Sequence, residues 1–242
     1  MDFFIDRLPL YLSGAGTTLV ITLLGAALAF VLAMVVGMLG TLRNRAARAV
    51  ATGYTETFRG VAALVLMYWM AFAIPQLTPY EIDPVFAAVL ALGLNVGAYG
   101  AEVVRAAINA VPRAQIEATI ALNMSWWRRT RSVVLPQAWA QMLPTFGNLV
   151  IELMKATAIV SLIGVADLTR VAQEQRAATG ETIAAFTGAL VVYFVIAQLL
   201  IVGMRLLERR ANRRLGRLPA SDTGLWALLR PPPATAIGGG RR

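Results

Sequence analysis

The sequence predicts an all-α integral membrane protein with about five transmembrane helices. Three observations carry that expectation. Of 242 residues, 58% are apolar and only 14% charged, whereas soluble domains sit nearer half and a quarter. The charges are spaced so that long uncharged runs lie between them. The basic residues, 22 in all and giving a net charge of +9, fall on alternate loops. The absence of cysteine and histidine excludes thiol catalysis, disulfides, zinc sites of the usual ligands and imidazole acid–base chemistry.

The runs define the spans. Leu8 to Leu42 are 35 uncharged residues, Gly60 to Tyr80 are 21, Pro84 to Ala101 are 18 and Thr182 to Met204 are 23. Each suffices to cross ~30 Å of hydrocarbon at ~1.5 Å per residue. A further run, from Pro144 to Ala166, is interrupted by Glu152 and Lys155. Spans are therefore expected near 16–40, 60–78, 84–104, 144–166 and 183–205.

Five spans place the termini on opposite sides. Arg43, Arg45 and Arg48 follow span one, and Arg105, Arg113, Arg128, Arg129 and Arg131 follow span three. After span five come Arg205, Arg209, Arg210, Arg213, Arg214, Arg217, Arg230, Arg241 and Arg242, bringing this side to 17 of the 22 basic residues. The other side holds mostly Asp and Glu, among them Asp2, Asp6, Glu81, Asp83 and Asp167. The positive-inside rule then sets the N-terminus outside and the C-terminus in the cytoplasm. Charges that mark topology are not a nucleic-acid footprint, so no nucleic-acid partner is expected. The start lacks the basic n-region of a cleavable signal and is expected to remain as span one. Residues 1–215 are expected to form one transmembrane domain. Residues 216–242, with Pro231–Pro233 and Gly238–Gly240, are expected to be a disordered cytoplasmic tail.

The stretch 110–138 is not a span. Pro112 suits a helix start. Ile116, Ile120 and Met124 recur every four residues and give one apolar face, and Asn123 is placed to end the helix in a left-handed backbone conformation. Ser125 can cap a second short helix through Trp126 and Trp127, and Leu135–Ala138 is expected to break the chain again before span four. Two readings stand: a loop packed on its own bundle, or a helical knob offered to a partner.

Here the chain resembles a family. Glu117-Ala118-Thr119, Asn123 and Val134-Leu135-Pro136 resemble the EAA loop of ABC importer permeases. Tyr54-Thr55-Glu56-Thr57-Phe58-Arg59-Gly60, Gly97 to Arg105 with Asn109 to Gln115, and Asn148 to Lys155 with Ser161 to Leu168 resemble motifs of its polar amino-acid subfamily, the histidine, glutamine and arginine type. The resemblance spans residues 10–215 and implies a type I importer fold. It implies that Glu117, Ala118, Ile120, Asn123 and Met124 dock on a cytoplasmic ABC ATPase dimer. It further implies a second permease subunit, identical or paralogous, and an extracytoplasmic solute-binding protein. Asn123 stands where the family has Gly, and Val61-Ala62 where it has Thr-Pro. The run 148–169 and Asn123 also resemble permeases for ectoine and hydroxyectoine.

No Walker A loop can be written from this chain, whose one lysine is Lys155. It is expected to be no enzyme and to hold no cofactor, with ATP and Mg used by the partner. Ionisable groups at membrane depth mark solute paths or interhelical locks. Asn148, Glu152 and Lys155 share one face of span four. They either hold a zwitterion between opposite charges, or Glu152 and Lys155 neutralise each other. Glu56, Arg59, Glu102 and Arg105 are read as gate or interface ion pairs. Gly93, Gly97 and Ala101 allow close packing within the chain or between chains. The competing function is an ion-coupled secondary carrier using Glu102 or Glu152.

Overall fold

A computed structural model describes residues 2–214, with side chains described over 6–211. All regular structure among the described residues is helical. The tail expected at 216–242 lies outside them. Helix α1 (Asp2–Thr41) is 40 residues long and packs along most of its length on α5 (Pro84–Asn109). The two approach closely because small residues alternate with large ones. A Cβ on Gly93 would lie 2.6 Å from Leu28 Cδ2, and one on Gly37 would lie 2.5 Å from Val104 Cβ. Gly97 faces Leu32 and Tyr54 and Ala101 is buried, so the small-residue stripe of α5 packs within the chain. Asp83 starts α5 by accepting from Phe86 N at 3.0 Å, with Pro84 in the first turn.

The second span departs from expectation. Instead of one helix over 60–78, α2 (Arg45–Gly60) is followed by α3 (Ala63–Tyr68), a π turn (Trp69–Ala73) and α4 (Ile74–Leu77). The two halves are bent by 98°. Val61 and Ala62 are extended (ψ 133° and 131°), which frees carbonyls that a membrane interior cannot hydrate. The side-chain amide of Asn95 on α5 satisfies them, donating to Phe58 O at 2.7 Å and Val61 O at 3.2 Å.

After α5 come two short helices, α6 (Arg113–Ala121) and α7 (Trp126–Arg129). The expected break at Leu135–Ala138 is not there. A π turn (Thr130–Val134) runs directly into α8 (Leu135–Ala156). Leu135 N–H reaches back to Thr130 O, so the missing N–H of Pro136 falls where the helical register is already shifting. The fourth apolar run is consequently longer than 144–166, reaching from Trp126 to Ile163. A 3-10 turn (Thr157–Ile163) ends it at Gly164, whose φ of 89° is left-handed. Helix α9 (Leu168–Thr179) then leads to α10 (Thr182–Arg214), longer than the span expected at 183–205.

Among the described residues, four helices are long and apolar enough to cross a membrane, five with the bent pair. The core has two main clusters. One joins Ile21, Met67, Leu92, Leu153 and Val160, and the other Ala33, Val104, Met142 and Phe146. Both centre on the α1–α5–α8 contact.

Candidate functional site

Helix α6 is the knob. It makes no more than slight contact with the other elements, and its end is built as the sequence requires. Asn123 has φ 53°, the one positive-φ residue other than glycine among the described residues. Met124 N–H bonds Thr119 O at 3.0 Å and Asn123 N–H bonds Ile120 O at 2.8 Å, the paired bonds of a Schellman turn. Ser125 Oγ accepts from Arg128 N at 3.4 Å and starts α7. Glu117, Ala118 and Asn123 are exposed. Ile120 is 58% exposed, Leu122 75% and Trp127 74%.

The outward ridge is not the one expected from a four-residue period. Ile116 and Met124 are half-buried. Ile116 lines a cavity of about 390 Å³ with Met38, Ile108, Trp126 and Val134. Ile120 stays outward and is joined by Leu122 and Trp127. Thr119 is buried and donates to Ile116 O at 2.7 Å. A link that the sequence reading missed ties the knob to its span: the Gln137 amide on α8 donates to the Gln115 side chain on α6, and also to Val133 O at 3.1 Å.

The second feature is a face of α8. Asn148, Glu152 and Lys155 are all exposed, and so are Thr145 and Gln141, one and two turns earlier. The five positions recur at intervals of three and four, which is a single stripe along a 3.6-residue helix. The opposite side buries Met142, Leu143, Phe146, Leu153 and Met154. Glu152 and Lys155 make no ion pair with each other or with another described residue, unlike Glu102 and Arg105. The reading in which they neutralise each other therefore has no bond behind it. A charged residue at mid-bilayer costs ~2.5–3.5 kcal/mol on insertion scales. The stripe must face water or another protein, not lipid. Gln141 and Thr145 were legible as members of it by their spacing from Asn148, yet were not singled out.

The charges of α2 and α5 complete this side. Arg105 Nη2 lies 2.6 Å from Glu102 Oε2, a partly exposed pair three residues apart. Glu56 and Arg59 form no ion pair among the described residues. Arg59 instead sits over the Tyr99 ring, 5.4 Å from its centroid, a cation–π contact between α2 and α5. Glu56 lines a cavity of about 550 Å³ with Arg43, Arg48, Glu102 and Arg105. Glu102 also shares an open groove of about 500 Å³ with Gln141 and Thr145, which connects the charged end of α5 to the α8 stripe.

A buried carboxylate lies apart from both. Asp167 is fully buried and caps α9, accepting from Arg170 N at 2.9 Å and Thr169 N at 3.1 Å. Tyr193 OH donates to it at 3.2 Å, and Thr18 Oγ1 accepts from Leu168 N at 3.3 Å, so α1, α9 and α10 meet there. Burial pushes the Asp167 carboxyl above its ordinary value, against the lowering effect of its hydrogen bonds.

Comparison with known proteins agrees with this arrangement. The family described as binding-protein-dependent transport system inner membrane component matches residues 29–213. The glutamine transport system permease protein GlnP of Escherichia coli (strain K12) is 37% identical over 204 residues, covering 84% of this chain and 93% of that protein. The arginine transport system permease protein ArtQ of Bacillus subtilis is 34% identical over 206 residues, covering 85% and 94%. A crystal structure of an amino acid ABC transporter with histidines matches with a TM-score of 0.78 at 33% identity, covering 85% of this chain and 96% of that one. Neither the ectoine expectation nor the ion-coupled carrier gains support from these relatives. The chain belongs to the family of inner membrane components of binding-protein-dependent transport systems, and its fold is that of a type I ABC importer permease.

Proposed function

We propose that this chain is the translocating permease subunit of an ATP-driven importer for an amino acid or related zwitterion. One observation carries the reading: α8 joins an exposed apolar knob at one end to an unpaired polar stripe along its length. The knob supports docking to a separate ATPase, because Ile120, Leu122 and Trp127 offer apolar area with Glu117 beside them to set register. The stripe supports a solute path, because Glu152 and Lys155 present opposite charges with no ion-pair partner among the described residues. The relatives are named for glutamine and arginine transport.

In this reading the knob lies in the cytoplasm and the N-terminus outside, by the distribution of arginines. A second permease chain covers the α8 stripe across a shared pore. A binding protein delivers solute from the outer side, and ATP and Mg are used by the ATPase. Glu102–Arg105 closes the inner end of the path, beside the groove leading to Gln141.

The test is uptake of radiolabelled glutamine, arginine and histidine into vesicles holding the chain with its neighbouring ATPase and binding protein. Uptake should require ATP and resist an uncoupler. Uptake that persists without ATP would overturn the reading.

A further inference from the structure

The face of α8 turned away from the polar stripe borders a groove that the transport reading does not use. Leu135, Trp139 and Leu143 recur every four residues on that side, and Leu207 of α10 closes the groove, which encloses about 520 Å³. Its two arginines, Arg131 and Arg210, are exposed and have no acidic partner among the described residues. Arg131 lies near the start of its apolar run, Trp126–Ile163, and Arg210 near the end of its own, Thr182–Ala211, and the two line one groove, so they sit at the boundary where head groups lie. Leu143 is 12 residues beyond Arg131, or ~18 Å of helix, close to the depth of one leaflet of a ~30 Å core. Trp139 is held in place by edge-on contact with Phe30, centroids 5.7 Å apart. Elsewhere along α10, Leu190, Phe194, Leu199 and Leu206 are apolar and exposed, as a lipid-facing helix requires.

An ordinary annular lipid needs no paired cations, whereas one anionic head group placed between the two arginines compensates both. We propose that the groove is a binding site for an anionic glycerophospholipid, its phosphate between Arg131 and Arg210 and one acyl chain along Leu135, Trp139 and Leu143. Basic residues at the membrane surface attract anionic head groups, and a pocket between spans adds shape to that attraction. The site does not depend on the identity of the solute or on the ATPase.

The experiment uses the full chain with Trp139 as its single tryptophan, the others replaced by Phe, in vesicles of fixed mean composition. Dibrominated phosphatidylglycerol and dibrominated phosphatidylcholine are compared as quenchers of Trp139 fluorescence. Phosphatidylglycerol should quench at roughly tenfold lower mole fraction, from two interfacial cations, and the preference should shrink at high salt. Arg131→Gln with Arg210→Gln should abolish the preference while phosphatidylcholine quenching stays unchanged, which shows the groove still folded and lipid-exposed. Arg131→Lys with Arg210→Lys should keep most of it. Equal quenching by both lipids would overturn the proposal, as would a preference that survives the double Gln variant. Quenching by neither lipid would mean that protein covers the groove and would overturn it too.

Discussion

Gln137 on the first turn of α8 donates its side-chain amide to Gln115 on α6. This is a direct polar link between the knob and the span that carries the polar stripe. A movement imposed on α6 is delivered to α8 through that bond and the short α7 turn. Replacing Gln137 by Leu removes about 1 kcal/mol of net hydrogen bonding and leaves the docking surface untouched. The expected outcome is unchanged ATPase binding with transport per ATP hydrolysed reduced several-fold. Parallel measurement of ATP hydrolysis and uptake in one vesicle preparation checks it. Equal loss of both activities would count against the link.

Ile120 and Glu117 make the complementary prediction. Burying an exposed isoleucine in a partner cleft contributes on the order of 1.5–3 kcal/mol. Ile120→Asp should therefore weaken ATPase association by at least about tenfold, and Glu117→Arg should insert normally yet lose coupling. Co-purification of the ATPase, with stimulation by loaded binding protein, reads both. Substituting half-buried Ile116 should instead lower stability, since it lines the cavity beneath the knob.

For Lys155 and Glu152, absence of a partner separates two roles. If they only locked the helix, Lys155→Ala would destabilise the protein. Because neither forms an ion pair among the described residues, Lys155→Ala and Glu152→Gln should each change melting temperature little, corresponding to about 0.5 kcal/mol or less. Uptake should fall with assembly intact. Wild-type uptake kinetics in both variants would remove them from the path.

Asp167 sets a pH signature. Its folded carboxyl titrates above the unfolded value of 3.8, so the folded state holds its proton to higher pH than the unfolded one. Its contribution to stability is full below the unfolded value and is lost as pH rises through the raised folded value. Asp167→Asn keeps a cap and removes the titration. Its melting temperature relative to wild type should rise as pH increases above the unfolded value of 3.8, whereas Asp167→Ala should lose about 1 kcal/mol of capping at any pH. A difference between wild type and Asp167→Asn that does not vary with pH would contradict this account.

How much of this was legible in the sequence depends on how local its cause is. Asn123 and Ser125 were readable because backbone handedness and capping are properties of one residue and its near neighbours. The elbow between α2 and α3 was not, because Gly60-Val61-Ala62 carries no proline and the exposed carbonyls are satisfied by Asn95, more than 30 residues away. Pro136 misled for a related reason: the π turn before it absorbs its missing N–H. Met124 was assigned to the ridge by a period that stops at Ala121, where α6 ends. The charges at 152 and 155 were placed on the right face, but spacing alone does not decide whether two side chains touch.

The two-sidedness of α8 limits how this helix can move. Turning it about its own axis by one residue, ~100°, would swing Glu152 and Lys155 away from the water or protein they face and toward hydrocarbon, at roughly 5 kcal/mol or more for the two. Tilting or sliding along the axis carries no such penalty. A power stroke arriving from the nucleotide side is thereby steered into rocking rather than rolling.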